Sequence, residues 1–178
     1  MYSKIDARFW TDEKILTLTL DAKLLMLYLL TSPHRNQIGC YVLPRGYAVE
    51  DLQMPYERFN AAWDELLATG MVVYDEKVRV ILVRNFLRYN AIENQSQATS
   101  AVNRIADLPK SDIYIEVIET LSMLNKDYLK DVIDALKNLC INLVPDTVPN
   151  TLSDTLPDTV PSTLPDTVPS TLPDTVPD

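Results

Sequence analysis

The most continuous run of apolar positions in the first half of the chain is TLDAKLLMLYLLTSP, residues 19–33. Every position from Leu24 to Leu30 is apolar, which is typical of a helix that has no fully polar side. Asp21 favours the start of this helix, and Pro33 stops it. We therefore predict a central helix in this stretch.

Shorter patterns predict the elements that follow. CYVLP indicates a short strand limited by Gly39 and Pro44, YAVEDLQM has room for about two helical turns, and PYERFNAAWDELLATG has room for about four. The last helix has one apolar face, and Gly70 is predicted to be its left-handed cap. That face consists of Phe59, Trp63, Leu66 and Leu67. Two apolar runs joined by Asp75-Glu76-Lys77 then predict a hairpin.

Helix, short strand, helix, helix, strand and strand is the connectivity of a winged helix. We predict a mainly α fold with a small antiparallel β-sheet. Its parts are a winged helix-turn-helix domain over residues 1–90, a helical extension over 91–144 and a repeat tail over 145–178. The extension contains a helical hairpin that bends near Asn125. Its apolar positions are Ile113, Val117, Leu121 and Leu124, then Leu129, Val132, Ile133, Leu136 and Leu139. Isolated helices cannot hide such faces from water, so they must pack on the winged domain or on another subunit.

The tail is a tetrapeptide repeat of the form DTVP, DTLP or STLP, with one NTLS. Proline at every fourth position forbids an ordinary helix and a central strand. We predict a disordered or polyproline-like tail. Its six aspartates and lack of Lys and Arg supply two thirds of the formal net charge of -9, whereas residues 1–90 are neutral. Neutrality permits nucleic-acid binding but does not by itself support it.

Candidate chemistry is sparse. The chain has two cysteines one hundred residues apart, a single histidine, His34, and three glycines. It has no phosphate-binding glycine motif and no pairing of a nucleophile with a base, so we expect neither an enzyme, nor a cofactor, nor a metal site. The N-terminus lacks the apolar run of a signal peptide. We expect a cytoplasmic protein with no membrane partner.

Two stretches carry a family resemblance. YSKIDARFWTDEKILTLTLDAKLLMLYLLTSPHRNQIGCYVLP and AWDELLATGMVVYDEKVRVILVRNFLRYNAIENQ resemble phage replication proteins of the replisome-organiser type, over about residues 2–110. The resemblance implies a winged-helix module similar to the N-terminal module of the DnaD primosome proteins. It also implies action at a phage or prophage replication origin, with recruitment of host helicase machinery.

The candidate nucleic-acid contacts come from local pattern alone. Phosphate contacts need cations, and base contacts need polar side chains within reach of a groove. We assign base contacts to Arg58 and Asn60 on the predicted recognition helix, and phosphate contacts to Lys77 and Arg79 in and beside the wing. Arg84 and Arg88, beyond the wing, are the two remaining candidate nucleic-acid contacts.

Acids on the predicted recognition helix and at the tip of the wing keep a second interpretation of the module open. In it the module mediates protein interaction or oligomerisation, or regulates transcription without a role in replication. The expected partners are duplex DNA, host or phage replication proteins, and a second copy bound through the C-terminal helices.

Trp10 and Trp63 are expected in the core or at its edge.

Overall fold

A computed structural model describes residues 3–141 of the chain. The described residues all belong to one unit, which spans Met1–Asp146. The prediction for the repeat tail falls outside them. The described part is mainly helical with a small antiparallel sheet, as predicted.

Eight α-helices and three strands make up the described part. In chain order they are α1 (Glu13–Thr17), α2 (Leu20–Thr31), β1 (Cys40–Val42), α3 (Arg45–Leu52), α4 (Tyr56–Ala68), β2 (Val72–Asp75), β3 (Val80–Val83), α5 (Phe86–Tyr89), α6 (Gln95–Ile105), α7 (Tyr114–Leu124) and α8 (Lys130–Lys137). Two short 3-10 helices, Ala7–Thr11 and Asp127–Leu129, precede α1 and α8. The predicted order of elements from α2 to β3 is confirmed.

Helix α2 begins after Thr19, whose hydroxyl accepts a hydrogen bond from the backbone N–H of Ala22 at 3.2 Å. Thr19 therefore caps the helix, and Asp21 lies in the first turn. One face is buried against α4 and the sheet, but Leu20 and Leu24 are 82% and 47% exposed. The predicted central helix thus contributes to the first cluster from one side only, because no element covers its second face in the part of the chain that the structure describes.

Helix α4 has the predicted single apolar face. Phe59, Trp63 and Leu66 are each fully buried, and they recur at spacings of four and three that bring them to one side of the helix. The backbone then turns through Gly70 at φ +65°, as the predicted left-handed cap requires. This face anchors the first hydrophobic cluster of the protein.

The sheet has the order β1-β3-β2, and both pairings are antiparallel. Because β3 is central, all four of its residues are buried and they alternate between two sides. Ile81 and Val83 join the cluster with α2 and α4, whereas Val80 and Leu82 join a second cluster. The sheet is therefore covered on both faces.

The second cluster is formed by the C-terminal helices. Its fully buried members include Ala98 of α6, Tyr114 and Leu121 of α7, and Leu136 of α8. Of the two packing arrangements predicted for these helices, packing on the sheet of the same chain is the one observed. The division into domains at residue 90 stays a prediction about independent folding.

Candidate nucleic-acid interface

Two cations project from the tip of the β2–β3 hairpin. The strands are joined by residues 76–79, and Arg79 closes the turn in the left-handed region at φ 58°. The side chains of Lys77 and Arg79 are exposed. Neither forms an ion pair with a carboxylate of residues 3–141. Both charges are thus available to an external anion.

The two acids beside them have partners within the protein. The Asp75 carboxylate accepts hydrogen bonds from the Ser111 hydroxyl at 2.5 Å and from the backbone N–H of Lys77 at 3.0 Å. These bonds hold the pKa of Asp75 below its ordinary value, the Ser111 bond most strongly. Glu76 pairs with the guanidinium of Arg45. The hairpin tip contains both acids and bases in the sequence. Because its acids have other partners, its two cations remain without an ion pair within residues 3–141.

Arg45 joins the hairpin to the helices. Its guanidinium lies 5.0 Å from the centre of the Trp63 ring and 5.4 Å from that of Tyr74, distances typical of cation–π contacts. The Tyr74 hydroxyl donates a hydrogen bond to the carbonyl oxygen of Leu43 at 3.0 Å. Sequence patterns could not reveal this role, because Arg45 and Glu76 are 31 positions apart.

The exposed face of α4 is mainly acidic. Arg58 is the single base on this helix, and its Nε and Nη2 donate to the Asp21 carboxylate at 2.8 and 2.5 Å. This pairing lowers the pKa of Asp21. Asn60 is exposed between Glu57 and Asp64. The two predicted base-reading residues are thus on the surface, but Arg58 is engaged and Asn60 has acidic neighbours.

Arg84 and Arg88 lie at the opposite end of β3 from the hairpin tip. At about 3.3 Å per residue, Arg84 is roughly 16 Å from Arg79 along the strand. Arg84 binds both carboxylate oxygens of Glu116, at 2.7 to 3.0 Å, and donates to the carbonyl oxygen of Gly70 at 3.1 Å. Arg88 is exposed on α5 and forms no ion pair within the described residues. The six predicted residues therefore do not form one surface.

The aromatic residues are divided in a way that the sequence did not predict. Trp63 is fully buried, as expected, but Trp10 is 58% exposed. Trp10 lies in the 3-10 helix that precedes α1, and its ring meets Phe9 edge-on. Of the two positions expected for Trp10, the core is excluded by its exposure, and the ring packs on Phe9, which lies at the edge of the first cluster.

Comparisons with protein-family models, with curated proteins and with solved structures each find no match. Within residues 3–141, no group of three or more His, Cys, Asp or Glu side chains is arranged to hold a metal ion. None of the described helices has both the length and the apolar character needed to cross a membrane. The case for a function therefore rests on the geometry and on the sequence patterns.

The bond between Ser111 and Asp75 leads to a prediction about pH. Since the folded protein lowers the pKa of Asp75, the stabilisation is present above about pH 4 and is lost as the pH falls through the folded pKa. We expect Ser111→Ala to lower the free energy of unfolding by about 1 kcal/mol at pH 7. The deficit should shrink near pH 3, because a protonated carboxyl accepts a weaker hydrogen bond. Urea unfolding at both pH values measures this, and an equal deficit at both would contradict the assignment.

Proposed function

We propose that this protein is a DNA-binding replication-initiation protein of a phage or prophage, of the replisome-organiser type. In this proposal residues up to about 90 form a winged helix whose wing, the β2–β3 hairpin, contacts duplex DNA at an origin. The observation that carries the proposal is the exposed pair Lys77 and Arg79, both free of ion pairs with the described carboxylates while Asp75 and Glu76 are held by other partners.

Two further observations support the same function. The order of elements from α2 to β3, with β1 as the third strand of the sheet, matches the connectivity expected of a winged helix. The resemblance of residues 2–110 to replisome organisers supplies the replication context, including the recruitment of replication proteins.

The charges favour contact with the DNA backbone over base reading. Phosphate contacts position a protein on a duplex without regard to sequence. The hairpin tip offers such contacts, whereas the acids of α4 would repel phosphates if that helix entered the major groove. We therefore propose that the wing makes the main contact. A modest affinity with weak sequence preference is the expected consequence.

A salt titration tests the proposal. Binding of the full chain to a labelled duplex, followed by fluorescence anisotropy, should weaken as salt rises from about 50 to about 200 mM, with a log-log slope of roughly -0.9 for each phosphate contacted. Two to four contacts would give a slope of roughly -2 to -4. Absence of binding at the lower salt concentration would contradict the proposal, as would binding that salt does not change.

Self-association is the second candidate. Met123, Leu124 and Ile141 are 84%, 43% and 60% exposed near the ends of the C-terminal helices, although the main apolar faces of these helices are already buried in the second cluster. Sedimentation velocity over a range of protein concentrations tests this role. A mass that rises with concentration and returns to the monomer value in Met123→Asp would support a dimer built on these residues.

A further inference from the structure

The N-terminal segment and α5 enclose a cleft at the end of the sheet opposite the hairpin tip. Its volume is about 140 Å³, and it lies between the 3-10 helix Ala7–Thr11, helix α2 and helix α5. Apolar side chains form much of its lining. They include Ile5, Phe9, Ile15, Met26, Leu30 and Phe86. The cleft therefore offers a surface on which a flat apolar group can lie.

Cations outnumber acids in the lining of this cleft. The lining contains Lys4, Arg8, Lys14, Arg84 and Arg88, against Asp6 and Asp12. Three of the cations have acidic partners: Arg8 pairs with Asp6, Arg84 with Glu116 and Lys4 with Glu93. Lys14 and Arg88 form no ion pair within residues 3–141. Two positive charges at one cleft are thus available to an anionic ligand.

One exposed aromatic ring lies beside cations of the cleft, and a second lies beside its apolar lining. Tyr89 is 38% exposed, and the guanidinium groups of Arg8 and Arg88 lie 5.5 and 5.9 Å from the centre of its ring. Trp10, at 58% exposure, stands next to Phe9 of the lining. Large rings left in contact with water and accompanied by arginines are suited to stacking on planar groups.

We infer that this cleft binds single-stranded nucleic acid, with bases stacking on Tyr89 and Trp10 and with Lys14 and Arg88 contacting phosphates. Proteins that bind single strands combine aromatic platforms with a cationic groove. A duplex fits this surface poorly, because its bases are stacked inside the helix and cannot reach a concave apolar floor. An acidic peptide would use the cations but has no planar bases to match the exposed rings. The site goes beyond the proposed duplex contact and uses different residues.

Anisotropy titration of the full chain with a labelled oligo-dT of about 15 nucleotides tests the inference. The variant Arg88→Gln with Tyr89→Leu removes a charge and a ring while keeping apolar bulk. We expect its affinity for oligo-dT to fall by about tenfold or more, since stacking of one base contributes about 1–3 kcal/mol. The matched control is Arg104→Gln with Tyr56→Leu, which removes an unpaired exposed base and a 62% exposed tyrosine elsewhere. The control should bind within about twofold of the parent.

Tryptophan fluorescence gives a second readout. The chain contains two tryptophans, and Trp63 is fully buried. Oligo-dT should therefore quench the emission of Trp10, and Trp10→Phe should abolish the quenching. The inference is overturned if the parent does not bind oligo-dT or if the Arg88/Tyr89 variant binds it like the parent. It is also overturned if poly-glutamate of matched length competes as well as unlabelled oligo-dT, since a peptide site would then be the better account.

A variant of the hairpin distinguishes the single-strand site from the duplex contact of the proposed function. Lys77→Gln with Arg79→Asn should leave oligo-dT binding within about twofold of the parent, because these residues lie at the other end of β3. Tyr89→Leu alone, which keeps every predicted duplex contact, should in turn keep duplex binding at the parent level while it weakens binding of oligo-dT. Loss of single-strand binding in both variants would contradict a distinct site, whatever the fate of duplex binding.

Discussion

Replacing Gly39 by alanine is expected to lower the free energy of unfolding by about 3 kcal/mol or more. Gly39 has φ +68°, a conformation that costs a residue with a Cβ atom free energy. An added Cβ would also lie only 2.5 Å from Cβ of Phe86, with the Phe86 ring equally close. The carbonyl oxygen of Gly39 accepts a hydrogen bond from Val83 at 2.9 Å, so the backbone is held in place. Thermal and urea unfolding measure the loss.

Gly46 provides the matched control. It lies in the first turn of α3, and an added Cβ would meet only the Tyr56 hydroxyl at 3.8 Å. Gly46→Ala should be neutral or stabilise the protein by up to about 1 kcal/mol, because alanine favours the helical backbone. Equal stabilities of the two variants would show that β1 and α5 do not approach each other as the structure has them.

Leu121→Ala is expected to cost about 3 kcal/mol. Leu121 is fully buried in the cluster that α7 forms with the second face of the sheet. Truncation of a buried leucine removes apolar burial and leaves a cavity, with typical losses of about 2–5 kcal/mol. A loss of this size in a monomeric sample would show that the C-terminal helices are part of the same folding unit as the sheet. Urea unfolding, with the monomer established by sedimentation, is the measurement.

Met123 on the same helix is the control for this result. It is 84% exposed, so Met123→Ala should change the stability by less than about 0.5 kcal/mol. A fragment of residues 1–90 extends the test, since it would expose Cys40, Val80 and Leu82 to water. We expect this fragment to be poorly folded. A small effect of Leu121→Ala together with a stable fragment would instead support independent domains.

Periodicity in the sequence predicts much of the fold. The spacing of Phe59, Trp63 and Leu66 defines the buried face of α4, and the alternation in β3 places its residues on two sides of the sheet. Both patterns are local consequences of helix and strand geometry. The continuous apolar run of α2 was less informative, because periodicity cannot distinguish a helix covered on all sides from one with an exposed face.

Which charged residues of the candidate site have partners within the protein could not be predicted in the same way. The partners of the charged residues are distant in sequence: Asp21 lies 37 positions from Arg58, and Ser111 lies 36 positions from Asp75. These pairings decide which cations are free, and they depend on tertiary packing alone. Arg58 therefore looks available in the sequence but is engaged, whereas the hairpin tip looks mixed in charge but presents two unpaired cations.

The exposure of the aromatic residues also depends on tertiary packing and could not be predicted from the sequence. Trp10 and Tyr89 belong to short elements whose burial depends on how the N-terminal segment meets α5. No periodic pattern covers either element, so the sequence does not distinguish a core ring from a surface ring. The cleft that Tyr89 lines was consequently not predicted, and of the predicted site residues only Arg84 and Arg88 line it.

The central claim is that the hairpin tip contacts duplex DNA, and one comparison tests it most directly. The variant Lys77→Gln with Arg79→Asn removes both unpaired cations while asparagine tolerates the left-handed backbone at position 79. Its control, Arg104→Gln with Lys110→Gln, removes the same charge from exposed positions without ion pairs in residues 3–141. Duplex affinity is measured by anisotropy at about 50 mM salt, where phosphate contacts are strong. We predict at least about tenfold weaker binding, and a salt slope less steep by roughly 2, for the hairpin variant alone; equal affinities of the hairpin variant and its control would contradict the claim.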